Sequence, residues 1–140
     1  PETDEVDTYY QSADVFVFSS ILESYPLVIL EAMKFELPIL TAPVFGVTEQ
    51  VINEFNAIFY SQGDASDLKD KITMLANDSN VRAELGSNAS SALKALPAFQ
   101  EVLCAYEALI TEAASRDMAS PQSCARINEL PWATAHASQI

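Results

Sequence analysis

The sequence predicts an α/β fold: a partial parallel sheet of about three strands, flanked by helices and followed by further helices. Strand-like and helix-like segments alternate from Asp14 to about Ala76, the order of βαβ units. The first strand segment is apolar without a break, as in strands covered on both faces. After Asp78 the apolar residues recur at helical spacing.

The elements follow in order. Residues 1–12 carry Glu2, Asp4, Glu5 and Asp7 ahead of Tyr9 and Tyr10 and read as a short acidic helix. Asp14-Val15-Phe16-Val17-Phe18-Ser19 is the first strand, expected to be buried on both faces. After a turn over 20–25, Pro26 opens an apolar-periodic helix over 27–35. Proline suits the first helical position and pushes Tyr25 out of the α region. Pro38-Ile39-Leu40-Thr41 is a second strand, 42–47 a loop, and 48–53 one or two helical turns. Ala57-Ile58-Phe59-Tyr60 is a third strand, and Gln62-Gly63-Asp64 a turn. Three helices follow: 65–76 with Leu68, Ile72 and Leu75 on one stripe, 79–96 with Val81, Leu85 and Leu93 inward, and 99–114 with Val102, Leu103, Tyr106, Leu109 and Ile110 at helical spacing. Three parallel strands with helices make about half of a doubly wound domain. The periodicity dissolves over 116–140, which reads as a loosely structured tail.

Lys plus Arg is 7 against 20 Asp plus Glu, a formal charge of −13. A phosphate-backbone binder needs a basic face, so this balance argues against nucleic acid and against anionic membrane as partners. Apolar residues are 49% and charged residues 19%, a globular composition, and 3 glycines are few for an all-β or solenoid chain. Cys104 and Cys124 do not make a disulfide scaffold. No apolar run approaches the roughly eighteen residues of a membrane helix. The acidic start is the opposite of a signal peptide. The expected setting is a reducing, cytoplasmic one, and Pro1 in place of Met points to processing or an excised piece.

The chemistry concentrates in Glu23-Ser24-Tyr25-Pro26-Leu27-Val28-Ile29-Leu30-Glu31. The segment follows a strand, and open α/β sheets bind ligands at strand carboxyl ends. With Tyr25 at the N-cap, no Ser or Asp side chain caps the helix, leaving the N–H groups of Leu27, Val28 and Ile29 for an anion. Glu23 precedes the helix and Glu31 lies about one and a half turns inside it. Two hydroxyl acceptors flanking an anion cradle suit a nucleotide sugar, and the two acids are expected to border a common crevice.

This segment resembles the E-x7-E motif of retaining GT-B glycosyltransferases of the group 1 family. Ser12-Ala13-Asp14-Val15-Phe16-Val17-Phe18-Ser19 resembles the family's A-A-D-V-F-V-L-P-S strand. Glu31-Ala32-Met33 with Leu37-Pro38-Ile39-Leu40 resembles E-A-M-A-x-G-L-P-V-V. Gly46-Val47-Thr48-Glu49-Gln50-Val51 resembles G-V-P-E-x-V. Asn56-Ala57-Ile58-Phe59-Tyr60 with Gly63-Asp64 resembles N-G-L-L-V-x-P-G-D, and Ala83-Glu84-Leu85-Gly86-Ser87-Asn88-Ala89 resembles R-x-x-L-G-x-N-A. These run in unbroken order over 9–89.

The resemblance implies half of a GT-B C-terminal domain over 1–115. It implies sugar transfer with retention from a nucleotide-diphosphate sugar, without metal or cofactor. Glu31 would bind ribose hydroxyls. Glu23 would contact the transferred sugar and is the catalytic candidate. Ser24, Tyr25, Pro26 and Leu27 would line the pocket, with the Leu27 and Val28 amides on the phosphates. The family's N-terminal acceptor domain, the first half of its donor domain and its upstream Arg and Lys have no counterpart here. The chain is therefore expected to be a fragment, inactive alone, with the N-terminal domain as its partner and 15–19 as an exposed apolar edge prone to self-association. Peripheral membrane attachment is common among relatives, though no basic amphipathic helix here supports it.

Several positions depart from the family pattern. Pro26 stands where many members have Gly, and Lys34, the nearest base to the motif, sits deep in its helix. Glu36 stands where the family has a helix-ending Gly, which predicts a different helix end. Phe45 and Thr48 replace a Gly and a Pro in the following loop. Glu49 reads equally as a third donor-site acid or as an acid favoured by a helix dipole. Tyr25 reads as a pocket wall, Cys104 as a buried core thiol, and Cys124 and His136 as incidental. The alternative function is a non-catalytic α/β interaction module that kept the fold and lost the site. A receiver-like domain fits less well, because Asp14 precedes its strand rather than following it.

Overall fold

The computed structural model describes residues 5–115. The chain divides into two compact units, Pro1–Ala95 and Leu96–Ile140. In the first, the order is α1 (Val6–Ser12), β1 (Phe16–Phe18), α2 (Leu27–Lys34), β2 (Ile39–Thr41), β3 (Ala57–Phe59), α3 (Ala65–Asn77) and α4 (Ser79–Lys94). In the second, α5 spans Phe99–Ser115.

The sheet is parallel, in the order β1-β2-β3. Phe16 pairs with Ile39 and Phe18 with Thr41, and on the other side Ile39 pairs with Ala57 and Thr41 with Phe59. Central β2 is buried at every residue. β1 is an edge strand, as expected, but it is not covered on both faces: Phe16 and Phe18 are half-buried and Val17 is exposed. The apolar run of β1 is therefore matched by cover on one face, with the outer edge unpaired by any described strand.

α2 packs on β2 and α4, burying Ile29, Ala32 and Met33. These meet Ile39, Leu40, Val47, Val51, Leu75, Leu85 and Ala89 in one core. Of the predicted α3 stripe, Leu75 is buried and Leu68 half-buried, but Ile72 is exposed. Asp64 caps α3 and Asp78 caps α4, each accepting from two backbone N–H groups. Arg82 donates to the carbonyls of Leu75 and Ala76, satisfying the end of α3.

The β2–β3 connection carries no helix where turns of helix were expected over 48–53. Instead, consecutive turns run over 45–50, closed by Val47 and Thr48 N–H to Val44 O and by Val51 N–H to Val47 O. Val47 and Val51 anchor the loop in the core.

The end of α2 also differs from expectation. Glu36 adopts φ +56°, the left-handed conformation that Gly would supply. Its N–H donates to Met33 O and that of Leu37 to Ala32 O, the paired bonds of a Schellman motif. Burial of Leu37 holds the chain to this end despite the side chain at 36.

In the second unit, Glu101 accepts from the Ala98 N–H at the start of α5. No residue of α5 is buried, and Cys104, expected in the core, is exposed. Cys124 and His136 lie outside the described residues.

Candidate functional site

The segment 23–31 leaves the carboxyl end of β1 and enters α2. Pro26 is the N-cap itself, with ψ 119°, and Leu27 is the first helical residue. This corrects the expectation of Tyr25 at the cap by one position, because proline's fixed φ suits an extended cap as well as a first turn. No side chain caps α2. The Ile29 N–H, expected to be open, donates to Pro26 O at 3.2 Å. Leu27 and Val28 remain as the amides at the open start of the helix.

Glu23 is half-buried, Ser24 and Tyr25 are exposed, Pro26 is buried, Leu27 is exposed and Val28 is half-buried. Glu31 is exposed and shares a face with Leu27, one helical repeat away. The loop before the helix is braced from the β2–β3 connection. Gly46, at φ +83°, lies so close that a Cβ there would meet the backbone of Ser24 and stand 2.8 Å from Glu23 O. Gln50 Nε2 donates to Pro26 O at 3.1 Å, and its Oε1 is buried without a partner.

Glu31 is held from α1. Tyr10 Oη donates to its Oε2 at 2.8 Å. Burial, then the hydrogen bond and charge of Glu31 and the charge of Asp7, push the Tyr10 phenol up to about 12. Beside it Lys34, at the last turn of α2, pairs with Asp7 at 3.3 Å and lies over the Phe35 ring. Lys34 thus points to α1 and not to the open helix start, consistent with its distance from the motif.

Two hollows open in the first unit, and only the first of them touches the loop before α2. One, of about 340 Å³, sits at the carboxyl ends of β1 and β3 between Ser19, Ile21, Tyr60 and Gln62. The other, of about 310 Å³, lies between Asn53, Lys71 and Glu84. Glu23 and Glu31 line neither, so the expected crevice shared by both acids is not one of these hollows. Glu49 is exposed in the turns over 45–50 and does not form part of a helix start. Among the described residues no group of three or more His, Cys, Asp or Glu is placed to hold a metal ion, and no helix is long and apolar enough to cross a membrane.

Tyr10, Gly46 and Gln50 are the neighbours of the motif that sequence reasoning did not assign. In α1, Val6, Tyr9 and Tyr10 sit at spacings that allow either tyrosine to face inward, and the helix is too short for periodicity to decide. Gly46 had a signal, a lone glycine in a loop after a strand, but its close approach to Ser24 is a tertiary fact.

The sheet and the open helix start at a strand's carboxyl end define an α/β domain of the kind found in GT-B glycosyltransferases. Residues 1–92 match the family described as glycosyl transferases group 1, and the chain belongs to that family. It is 32% identical over 81 residues to the capsular polysaccharide biosynthesis glycosyltransferase CapM of Staphylococcus aureus, covering 58% of this chain and 21% of that protein. Sucrose-phosphate synthase from Thermosynechococcus elongatus superimposes with a TM-score of 0.70 at 29% identity, covering 76% of this chain and 27% of that one. Anabaena Alr3699/HepE, solved in complex with UDP-glucose, superimposes with a TM-score of 0.58 at 26% identity, covering 61% and 24%. The chain spans 21–24% of the length of the first curated relatives it matches.

Proposed function

We propose that this chain supplies donor-binding elements of an enzyme that transfers a sugar, with retention, from a nucleotide-diphosphate sugar to an acceptor. The observation that carries the reading is the open start of α2: the uncapped amides of Leu27 and Val28, with the Glu31 carboxylate on the same exposed face one repeat further on. Family membership supports it, as does the UDP-glucose bound by the Anabaena relative.

In this reading the Leu27 and Val28 amides, aided by the helix dipole, receive the diphosphate. Glu31 accepts hydrogen bonds from the ribose hydroxyls. Glu23 meets hydroxyls of the transferred sugar and is the catalytic candidate, while Ser24, Tyr25 and Pro26 line the pocket. As the glycosidic bond breaks, its electron pair leaves with the diphosphate and the sugar becomes oxocarbenium-like. Amides already aimed at the leaving oxygens bind that growing charge more strongly than the ground state, worth roughly 3–4 kcal/mol per donor. The scheme uses no metal or cofactor. Residues 1–115 form the donor-side part, and the rest of the crevice and the acceptor site come from an N-terminal domain. Without that context the chain is inactive and associates through the β1 edge.

Calorimetric titration of the full-length protein with UDP, GDP, ADP and CDP tests the reading independently of the sugar. One diphosphate is expected to bind, and Glu31→Ala to weaken it about tenfold or more, the size of a lost charge-assisted hydrogen bond. Unchanged affinity in Glu31→Ala removes the ribose role. Binding of none of the four favours the non-catalytic interaction module.

A further inference from the structure

Tyr10 stands out within α1. It is the buried residue of that helix, while Tyr9 and Val6 are exposed. Its ring stacks on Phe35 at 5.4 Å with an interplanar angle of 4°, and leans on Phe16 at 5.8 Å. These contacts need a phenyl group and nothing more. The hydroxyl is surplus to packing. It is directed instead at Glu31 Oε2, across 21 positions of sequence.

Glu31 is otherwise an exposed side chain on a helix face. The last torsion of a glutamate is broad, so a free carboxylate samples many orientations. An ionised carboxylate offers about four lone-pair sites on two oxygens. Tyr10 occupies one of them from the α1 side and leaves Oε1 and the other side of Oε2 open. The aromatic contacts fix the ring, the ring fixes the hydroxyl, and the hydroxyl selects a carboxylate orientation.

We infer that Tyr10 is a positioning residue for nucleotide recognition: its hydroxyl holds the Glu31 carboxylate in the orientation that accepts the two adjacent hydroxyls of a ribose. This rests on the ribose role of Glu31 above. Burial and the acids nearby keep the phenol protonated to about 12, so the donor persists at every physiological pH.

The readout is diol preference, which a merely structural role would not move. The affinity of the full-length protein for the tightest of UDP, GDP, ADP and CDP is compared with that for its 2′-deoxy and 3′-deoxy analogues. Wild type is expected to prefer the ribonucleotide. Tyr10→Phe keeps the ring and is expected to cut that preference three- to tenfold, with phosphate-dominated affinity for the deoxy analogues unchanged. Fluorotyrosine at position 10 is nearly isosteric and ionises at lower pH. It is expected to lose the preference as pH rises through its own ionisation, and it serves if Tyr10→Phe does not fold. If Glu31→Ala abolishes the preference while both Tyr10 variants retain it, the Tyr10 inference is overturned and the Glu31 reading survives. If Glu31→Ala itself retains the preference, or if no diphosphate binds, both fall.

Discussion

Replacing Gly46 with Ala tests how the fold braces the candidate site, and Gly63 provides its control. Both glycines hold positive φ, +83° and +81°. A Cβ at Gly63 meets nothing within 4 Å, whereas at Gly46 it would overlap the Ser24 carbonyl and stand 2.8 Å from Glu23 O. The left-handed backbone alone costs an alanine about 1–2 kcal/mol. Loss of unfolded-chain freedom returns about 0.4–1 kcal/mol. Gly63→Ala should therefore destabilise by about 1 kcal/mol. Gly46→Ala bears the same term plus an overlap with backbone that cannot rotate away, about 1–3 kcal/mol more. Its total is about 2–4 kcal/mol, and about 4–8 °C of melting temperature is expected per kcal/mol. Urea unfolding followed by circular dichroism measures both variants. The same displacement of Glu23 and Ser24 should weaken diphosphate binding in Gly46→Ala and leave Gly63→Ala unaffected. Equal destabilisation by the two substitutions would refute the bracing role of Gly46.

Three further outcomes follow from the structure. Glu36→Gly should raise stability by about 0.5–1 kcal/mol in the same urea assay, because a glycine holds φ +56° without a Cβ penalty; a loss would show that the Glu36 side chain contributes more than its backbone costs. Sedimentation of the isolated chain should show concentration-dependent association that Val17→Lys suppresses, since a charge on an edge strand opposes pairing; a strictly monomeric wild type would contradict the β1 edge role. Tyr10 has a raised folded-state value of about 12, set by burial, Glu31 and Asp7, so the stability it adds is complete below the unfolded value near 10 and is lost as pH rises through about 12. The stability gap between wild type and Tyr10→Phe should therefore close over that window, and a gap independent of alkaline pH would contradict the bond to Glu31.

The residues that made the fold legible are those whose signals are local. The strand-like segments containing 16–18, 39–41 and 57–59 each became a strand, and the helical spacing over 65–76 and 79–96 became α3 and α4. The motif from Glu23 to Glu31 straddles a loop and a helix start, as proline and apolar spacing at 26–33 required. Cys104 and Ile72 went the other way: each lies on an apolar stripe, and each is exposed. Periodicity identifies the face of a helix that can be buried, not whether another element covers it. Glu36 shows the converse. Local propensity predicted a different helix end, and Leu37, drawn into the core, overrode it.

By itself the sequence determined the element order, the parallel α/β class and the position of the acids around a helix start, because each depends on neighbours a few residues apart. Tertiary structure alone decided that Gly46 presses on Ser24 and that Tyr10 grips Glu31. Those contacts join positions some twenty residues apart. The pattern of side chains along the chain carries no record of which distant surfaces will close on each other until the core has packed.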